Sequence, residues 1–126
     1  MKKDDRVFLL HIWDAILQIE QYVDHVGATK FLQTRLLQDG VVRQLEIIEE
    51  ASRNLTDTIR LQYPDVPWQQ IIGLRNRIAH AYFLVNYELV WEIVQNNLPN
   101  LKAQIGEILN GFAEGDVNDG GGSGAG

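Results

Sequence analysis

The sequence predicts an all-α protein, an antiparallel bundle of four to five helices, on three observations. Apolar residues recur at steps of three and four along most of the chain, the spacing of helices that each bury one face. No stretch alternates apolar and polar side chains as a half-buried strand would, and neither an internal repeat nor a Gly-rich phosphate loop is present. The connections between the periodic stretches are short, which favours antiparallel neighbours.

The first helix is expected from Asp4 to Val26, where Leu9, Ile12, Trp13, Ile16, Ile19, Val23 and Val26 make one apolar stripe. Gly27 is expected to end it, and Thr29 to cap a short helical turn through Phe31 and Leu32. A second long helix is expected from about Thr34 to Tyr63, with Leu37, Val41, Leu45, Ile48, Leu55, Ile59 and Leu61 inward and Arg43, Glu46, Glu50, Arg53, Asp57 and Arg60 mostly on the other side. Gly40 weakens it by up to ~1 kcal/mol relative to alanine. Pro64 and Pro67 then turn the chain, since each lacks a backbone donor and pushes its predecessor toward extended geometry. Pro67 suits the start of a third helix, about Trp68 to Tyr82. Asn86 is a natural N-cap for the last helix, holding Leu89, Val90, Ile93, Val94, Leu98, Leu101, Ile105 and Leu109, which Pro99 should kink or divide.

The domain is expected to occupy residues 1–113. The Gly/Ser-rich remainder, 114–126, reads as a flexible tail or an appended, non-native scar. At 126 residues the chain has room for one core. It contains no cysteine, which excludes disulfides and thiolate metal sites and permits a reducing compartment. The N-terminal apolar run is broken by His11 and Asp14, unlike a secretory segment or a membrane span of ~20 apolar residues, so a cytoplasmic protein is expected.

The formal charge is −6, from 17 acidic and 11 basic residues. Setting aside Glu114, Asp116 and Asp119 leaves 14 acidic against 11 basic, or −3 for residues 1–113. This balance argues against a surface that coats nucleic acid broadly, because such binding neutralises many phosphates. A small basic cleft is not excluded, and Arg75 with Arg77 is the densest uncompensated basic pair in the sequence.

Those two arginines belong to the stretch Arg75-Asn-Arg-Ile-Ala-His80-Ala-Tyr82, which concentrates phosphate-directed groups. Guanidiniums grip phosphodiesters through planar paired hydrogen bonds, and histidine is the side chain whose unperturbed pKa, about 6.5, suits proton transfer near neutrality. On a continuous helix Asn76 and His80 would stand one turn apart, and Arg75, Ala79 and Tyr82 would form the next stripe. Such a set suits RNA cleavage by internal transesterification, which needs proton movement and stabilisation of phosphoryl charge but no metal. DNA, without the 2'-hydroxyl, would be inert. One histidine in the cluster of each chain is a limitation that a two-fold dimer would remove by doubling the cluster.

Blander readings apply to the same residues. A short Arg/Asn/His face is often a solvated or dimer-contacting surface. His11 and His25 lack a clustered second ligand, and Trp13, Trp68 and Trp91 suit core packing better than base stacking. Glu46, Glu49 and Glu50 suit a solvated face better than a carboxylate metal site.

The stretch ending in His80-Ala-Tyr82 resembles the Arg-x4-His-x-Tyr motif of the HepT-type toxins in the HEPN superfamily of helical ribonucleases. The resemblance extends through Asp4-Asp-Arg, Gln38-Asp-Gly-Val-Val-Arg-Gln-Leu-Glu-Ile-Ile, Tyr63-Pro-Asp-Val-Pro-Trp and Asn86-Tyr-Glu-Leu-Val-Trp-Glu-Ile-Val, covering about residues 4–110. It implies a bundle that dimerises through the motif region, with Arg75 binding phosphate, His80 as the catalytic imidazole, and Asn76 and Arg77 in support. It further implies a toxin of a type VII-like toxin-antitoxin pair, in which a minimal nucleotidyltransferase antitoxin uses ATP and magnesium to attach AMP to Tyr82. RNA cleavage itself would need no cofactor. Many relatives carry glycine where this chain has Glu49 and Ala81; neither change replaces a reacting group. A noncatalytic module that binds nucleotide or a partner, and a plain helical dimerisation domain, are the alternatives.

Overall fold

The computed structural model of the protein describes residues 4–81 and 84–122, with the side chains of His80 and of residues 113–122 outside that description. The fold is helical, as expected, with short helices inserted between three long ones. Helix α1 spans Asp5–Val23 and begins where the Asp4 carboxylate accepts the Arg6 amide at 3.1 Å. It stops three residues short of the expected Val26, because Asp24 leaves the helical range and His25 takes a left-handed φ of 59°. Gly27 is the N-cap of α2 (Ala28–Gln33) instead of the end of α1, and no side chain, Thr29 included, caps that helix.

Helix α3, Arg35–Asn54, is the centre of the molecule. It packs along α1, which in turn lies on the last helix. Leu9, Ile12, Ile16 and Ile19 of α1 meet Val41, Leu45 and Ile48 of α3 and Ile105 and Ile108 of the last helix in one buried core. Gly40 is explained by this packing: a Cβ there would stand 3.1 Å from the Tyr22 ring, so the residue that weakens α3 is the one that lets α1 approach.

The expected helix from Thr34 to Tyr63 is two helices, because Leu55 turns extended and α4 occupies Asp57–Gln62. A contact 51 residues away in sequence makes the break. The Asp5 carboxylate accepts the Thr56 amide at 2.8 Å and its hydroxyl at 2.6 Å, while the hydroxyl oxygen accepts the Ile59 amide as an N-cap. Both helix starts are thereby fastened together, with Leu55 buried beneath them.

The expected helix from Trp68 to Tyr82 is also not continuous. Helix α5 (Trp68–Ile72) and helix α6 (Leu74–Ile78) meet at Gly73, after which Ala79 is extended. Two-residue strands β1 (Ala79–His80) and β2 (Leu84–Val85) pair antiparallel, with Ala79 opposite Val85 and His80 opposite Leu84. The Asn86 amide then donates to the Ile78 carbonyl at 2.8 Å, satisfying an acceptor that a longer helix would have used.

Asn86 caps α7 (Tyr87–Glu92) as expected, its side chain accepting the Leu89 amide at 3.1 Å. A π-helical turn, Ile93–Asn97, leads directly into α8, Leu98–Gly122. The wide turn just ahead of Pro99 accommodates the proline ring and missing donor without dividing the helix. Leu109 and Phe112 pack against the core, and the α8 backbone continues through the Gly/Asp-rich stretch to Gly122. Among the described residues no helix is long and apolar enough to cross a membrane.

Candidate functional site

The site residues lie where α3 faces the junction of α5 and α6. Gly73 offers no side chain to cap α6, and α3 supplies the missing acceptor: Glu49 Oε1 accepts the Arg75 amide at 2.8 Å. The second Glu49 oxygen accepts from Arg53, one turn along α3. The same Arg53 nitrogen also donates to the Ile72 carbonyl at 3.2 Å. Glu49 thus serves the first turn of α6 while Arg53 serves the last carbonyl of α5, each end receiving the charge its exposed backbone groups favour. Glu49 is 7% exposed, so the sequence reading that placed it on a solvated face is corrected.

Arg75 leaves this anchored backbone and reaches the surface. Its side chain is 70% exposed, and the guanidinium donates to Glu46 Oε2 at 3.3 Å. Arg43 stands 3.7 Å from the other Glu46 oxygen, so one carboxylate is shared by two arginines. The expected uncompensated pair is therefore not found. Arg75 is already matched with an anion, and Arg77 does not join it: two residues apart on a helix, the two side chains leave on different flanks. Arg75 and Asn76 border a groove of about 500 Å³ with Glu46, Glu49, Val42 and Leu84, whereas Arg77 borders a hollow of about 50 Å³ with Pro67, Gln70 and Asn97.

The helical-face argument that stacked Asn76 beneath His80 fails because α6 ends at Ile78. His80 instead belongs to the β1–β2 pairing, following Ala79 and opposite Leu84, both of which border the same groove. Its side chain, and Tyr82 altogether, lie outside the described residues. Chemically the groove joins an apolar wall to an accessible guanidinium and an exposed amide, the combination that recognises a phosphodiester with an attached apolar or aromatic group.

Sequence reasoning missed Glu46, Glu49 and Arg53 as parts of this site. A signal for Glu49 was present: it lies one turn beyond Leu45 and beside Ile48 and Ser52, on the inward stripe of α3, with a cation four residues later. Nothing in the spacing identified its acceptor role toward Arg75, 26 residues on. The expected packing role of the tryptophans agrees with the structure, and His11 and His25 are exposed as expected. Trp68 is buried and donates its indole N–H to the Tyr63 carbonyl at 3.0 Å, Trp91 lies 5.1 Å from the Phe31 ring, and Lys102 stands 5.7 Å over Trp13. Among the described residues no three His, Asp or Glu side chains are grouped to hold a metal ion.

Relatives are found along nearly the whole chain. A protein of Methanocaldococcus jannaschii named "Putative RNase" is 38% identical over 117 residues, covering 93% of this chain and 97% of the relative. A Thermococcus cleftensis protein named "Probable ribonuclease HepT" is 32% identical over 108 residues, covering 86% of this chain and 98% of its own length. No solved structure matches the chain. The sequence model described as ribonuclease HepT-like matches residues 12–108, a span that contains the α3 anchor, Arg75 and His80, and with these relatives it shows that the chain belongs to the HepT-like ribonuclease family.

Proposed function

We propose that the protein is a metal-independent endoribonuclease, the toxin of a toxin-antitoxin pair, acting as a cytoplasmic homodimer. The observation that carries this reading is Arg75 itself: a side chain on a backbone fixed from α3, exposed at a groove bordered by Ala79 and Leu84, the chain neighbour and the strand partner of His80, in a chain of the HepT-like ribonuclease family. In the reaction the 2'-oxygen of RNA attacks the adjacent phosphorus and the 5'-oxygen departs, leaving a 2',3'-cyclic phosphate and a 5'-hydroxyl. His80 takes the proton from the 2'-hydroxyl, and the second His80 of the dimer supplies one to the leaving oxygen. Arg75 stabilises the charge that grows on the phosphoryl oxygens, with Asn76 and Arg77 in supporting contacts.

Tyr82 is the proposed site of control. A minimal nucleotidyltransferase antitoxin, itself using ATP and magnesium, would add AMP there. Each new phosphodiester brings negative charge and bulk into the region served by Arg75, and so competes with substrate as a tethered analogue. Intact mass of the protein purified with and without that partner reads the modification directly.

The test of the activity is cleavage of labelled single-stranded RNA and a tRNA pool in EDTA. Wild type is expected to form 2',3'-cyclic ends, and His80→Ala and Arg75→Ala to lose at least about 100-fold in rate while keeping the helical circular-dichroism spectrum. Cleavage that survives both substitutions in a clean preparation overturns the assignment. The Glu46 contact favours one competing reading, a noncatalytic nucleotide- or partner-binding module, because Arg75 is already paired. Arg75-dependent binding of RNA without turnover by unmodified protein would establish it.

A further inference from the structure

Glu46 already engages the Arg75 guanidinium, the group proposed to hold substrate phosphate. The Arg75 guanidinium is the exposed cation of the groove, and one of its terminal nitrogens already donates to Glu46 Oε2 at 3.3 Å. Glu46 is not a loose surface acid: its side chain is 32% exposed, it rises from the same helix that anchors the Arg75 amide, and it borders the groove beside Glu49. Its other oxygen faces Arg43 at 3.7 Å, three residues back on α3. The carboxylate therefore has a second cation to retain it when Arg75 is withdrawn.

We infer that Glu46 is a carboxylate latch on Arg75, exchanged for a phosphodiester when RNA enters, and that Arg43 holds the released carboxylate. The inference rests on the ribonuclease reading and adds a positioning role that sets substrate affinity. A carboxylate and a phosphodiester each present two oxygens to the same planar donor fork, so one replaces the other without rearranging the guanidinium. The exchange is cheap because the pair is exposed; such pairs hold by up to about 1 kcal/mol, or about fivefold in an equilibrium. Arg43 lowers the cost further by leaving Glu46 paired after the exchange. The latch keeps an exposed arginine from gripping arbitrary anions and acts on binding, not on the chemical step.

Two readouts test this on Glu46→Gln, Arg43→Gln, the double variant and Asp39→Asn, the last a control for removing one α3 carboxylate elsewhere. Cleavage gives KM and kcat, and fluorescence anisotropy with 2'-O-methyl RNA, which cannot supply the nucleophile, gives Kd. Glu46→Gln is expected to lower Kd and KM about two- to fivefold with kcat within about twofold. Arg43→Gln is expected to raise both, because Glu46 then remains on Arg75, and the double variant to behave as Glu46→Gln. A merely structural pair would move the two single variants in the same direction. Unchanged or weaker binding by Glu46→Gln overturns the latch, as does equal tightening by Asp39→Asn. A double variant as weak as Arg43→Gln removes the holding role of Arg43 and assigns it direct contact with phosphate. Tightening of 2'-O-methyl RNA by Glu46→Gln without cleavage of RNA by wild type overturns the ribonuclease reading and leaves the latch standing. Binding that ignores Arg75→Gln overturns the latch, whatever the cleavage assay shows.

Discussion

The Glu49 carboxylate receives two hydrogen bonds from opposite directions, one from the Arg75 amide and one from Arg53. It is the residue through which α3 sets the origin of the Arg75 side chain, and it is nearly buried. Removing a buried acceptor leaves its donor unsatisfied at a cost of about 1–3 kcal/mol. Glu49→Ala is therefore expected to lower Tm by roughly 5–10 °C and to weaken RNA cleavage at temperatures where the fold persists, because the start of α6 loses its anchor. Glu49→Gln keeps an oxygen for the Arg75 amide and should recover most of the activity. A thermal melt and a cleavage assay on both variants check this. Equal loss in the two would mean that the charge on Arg53, not the cap on α6, is what matters. At this scale the sequence pointed to the groups proposed to do chemistry and was silent about which groups hold them. Arg75, Asn76 and His80 were identifiable by residue type; Glu46 and Glu49 needed the packing of α3 on α6, a contact between residues 26 to 29 apart.

Among the elements, the long helices were legible and the breaks between shorter ones were not. Apolar periodicity located α1, α3 and α8, since each buries a continuous stripe. It ran straight through Leu55 and Gly73, where the apolar positions stay in register although the backbone leaves the helix. Both breaks are made by distant partners: Asp5 holds Thr56, and Glu49 with Arg53 holds the ends at Gly73. Thr56→Val keeps the shape of the side chain and removes its cap and its bond to Asp5. A lost N-cap costs about 0.5–2 kcal/mol, so a Tm drop of several degrees is expected with no loss of helical content. Asp5→Asn, which still offers one oxygen, should fall less. If Thr56→Val instead raised stability, the corner would be held by Leu55 burial alone. The same contrast explains the error over His80. Helical periodicity extends to Ile78 and cannot foresee that Asn86 will return to pair with the Ile78 carbonyl.

For the whole molecule, the proposed mechanism requires a second copy, because each chain carries one motif histidine and the transesterification moves a proton at two oxygens. The surface beside the motif is suited to receive it. Leu84 is 60% exposed at the groove rim, and Val85 is shared between that groove and a neighbouring hollow of about 490 Å³ bordered by Leu32, Gln38, Tyr87 and Glu88. Leu32 and Leu36 on the adjoining α2–α3 segment are also exposed, and exposed apolar side chains near a motif favour association where they join into a patch. Sedimentation at micromolar concentration is expected to show a dimer for the wild type. Leu84→Glu would place a charge in the contact and should shift the protein toward monomer with a parallel loss of RNA cleavage. A mixture of wild-type with excess His80→Ala subunits then reports whether the cleft is shared. If each reaction needs both His80 side chains, heterodimers are inactive and activity per wild-type subunit falls as the mutant is added; if every protomer acts alone, activity per wild-type subunit stays constant. A wild-type protein that remains monomeric with RNA bound, and cuts it at full rate, would remove the composite cleft and leave His80 to serve both proton transfers in turn.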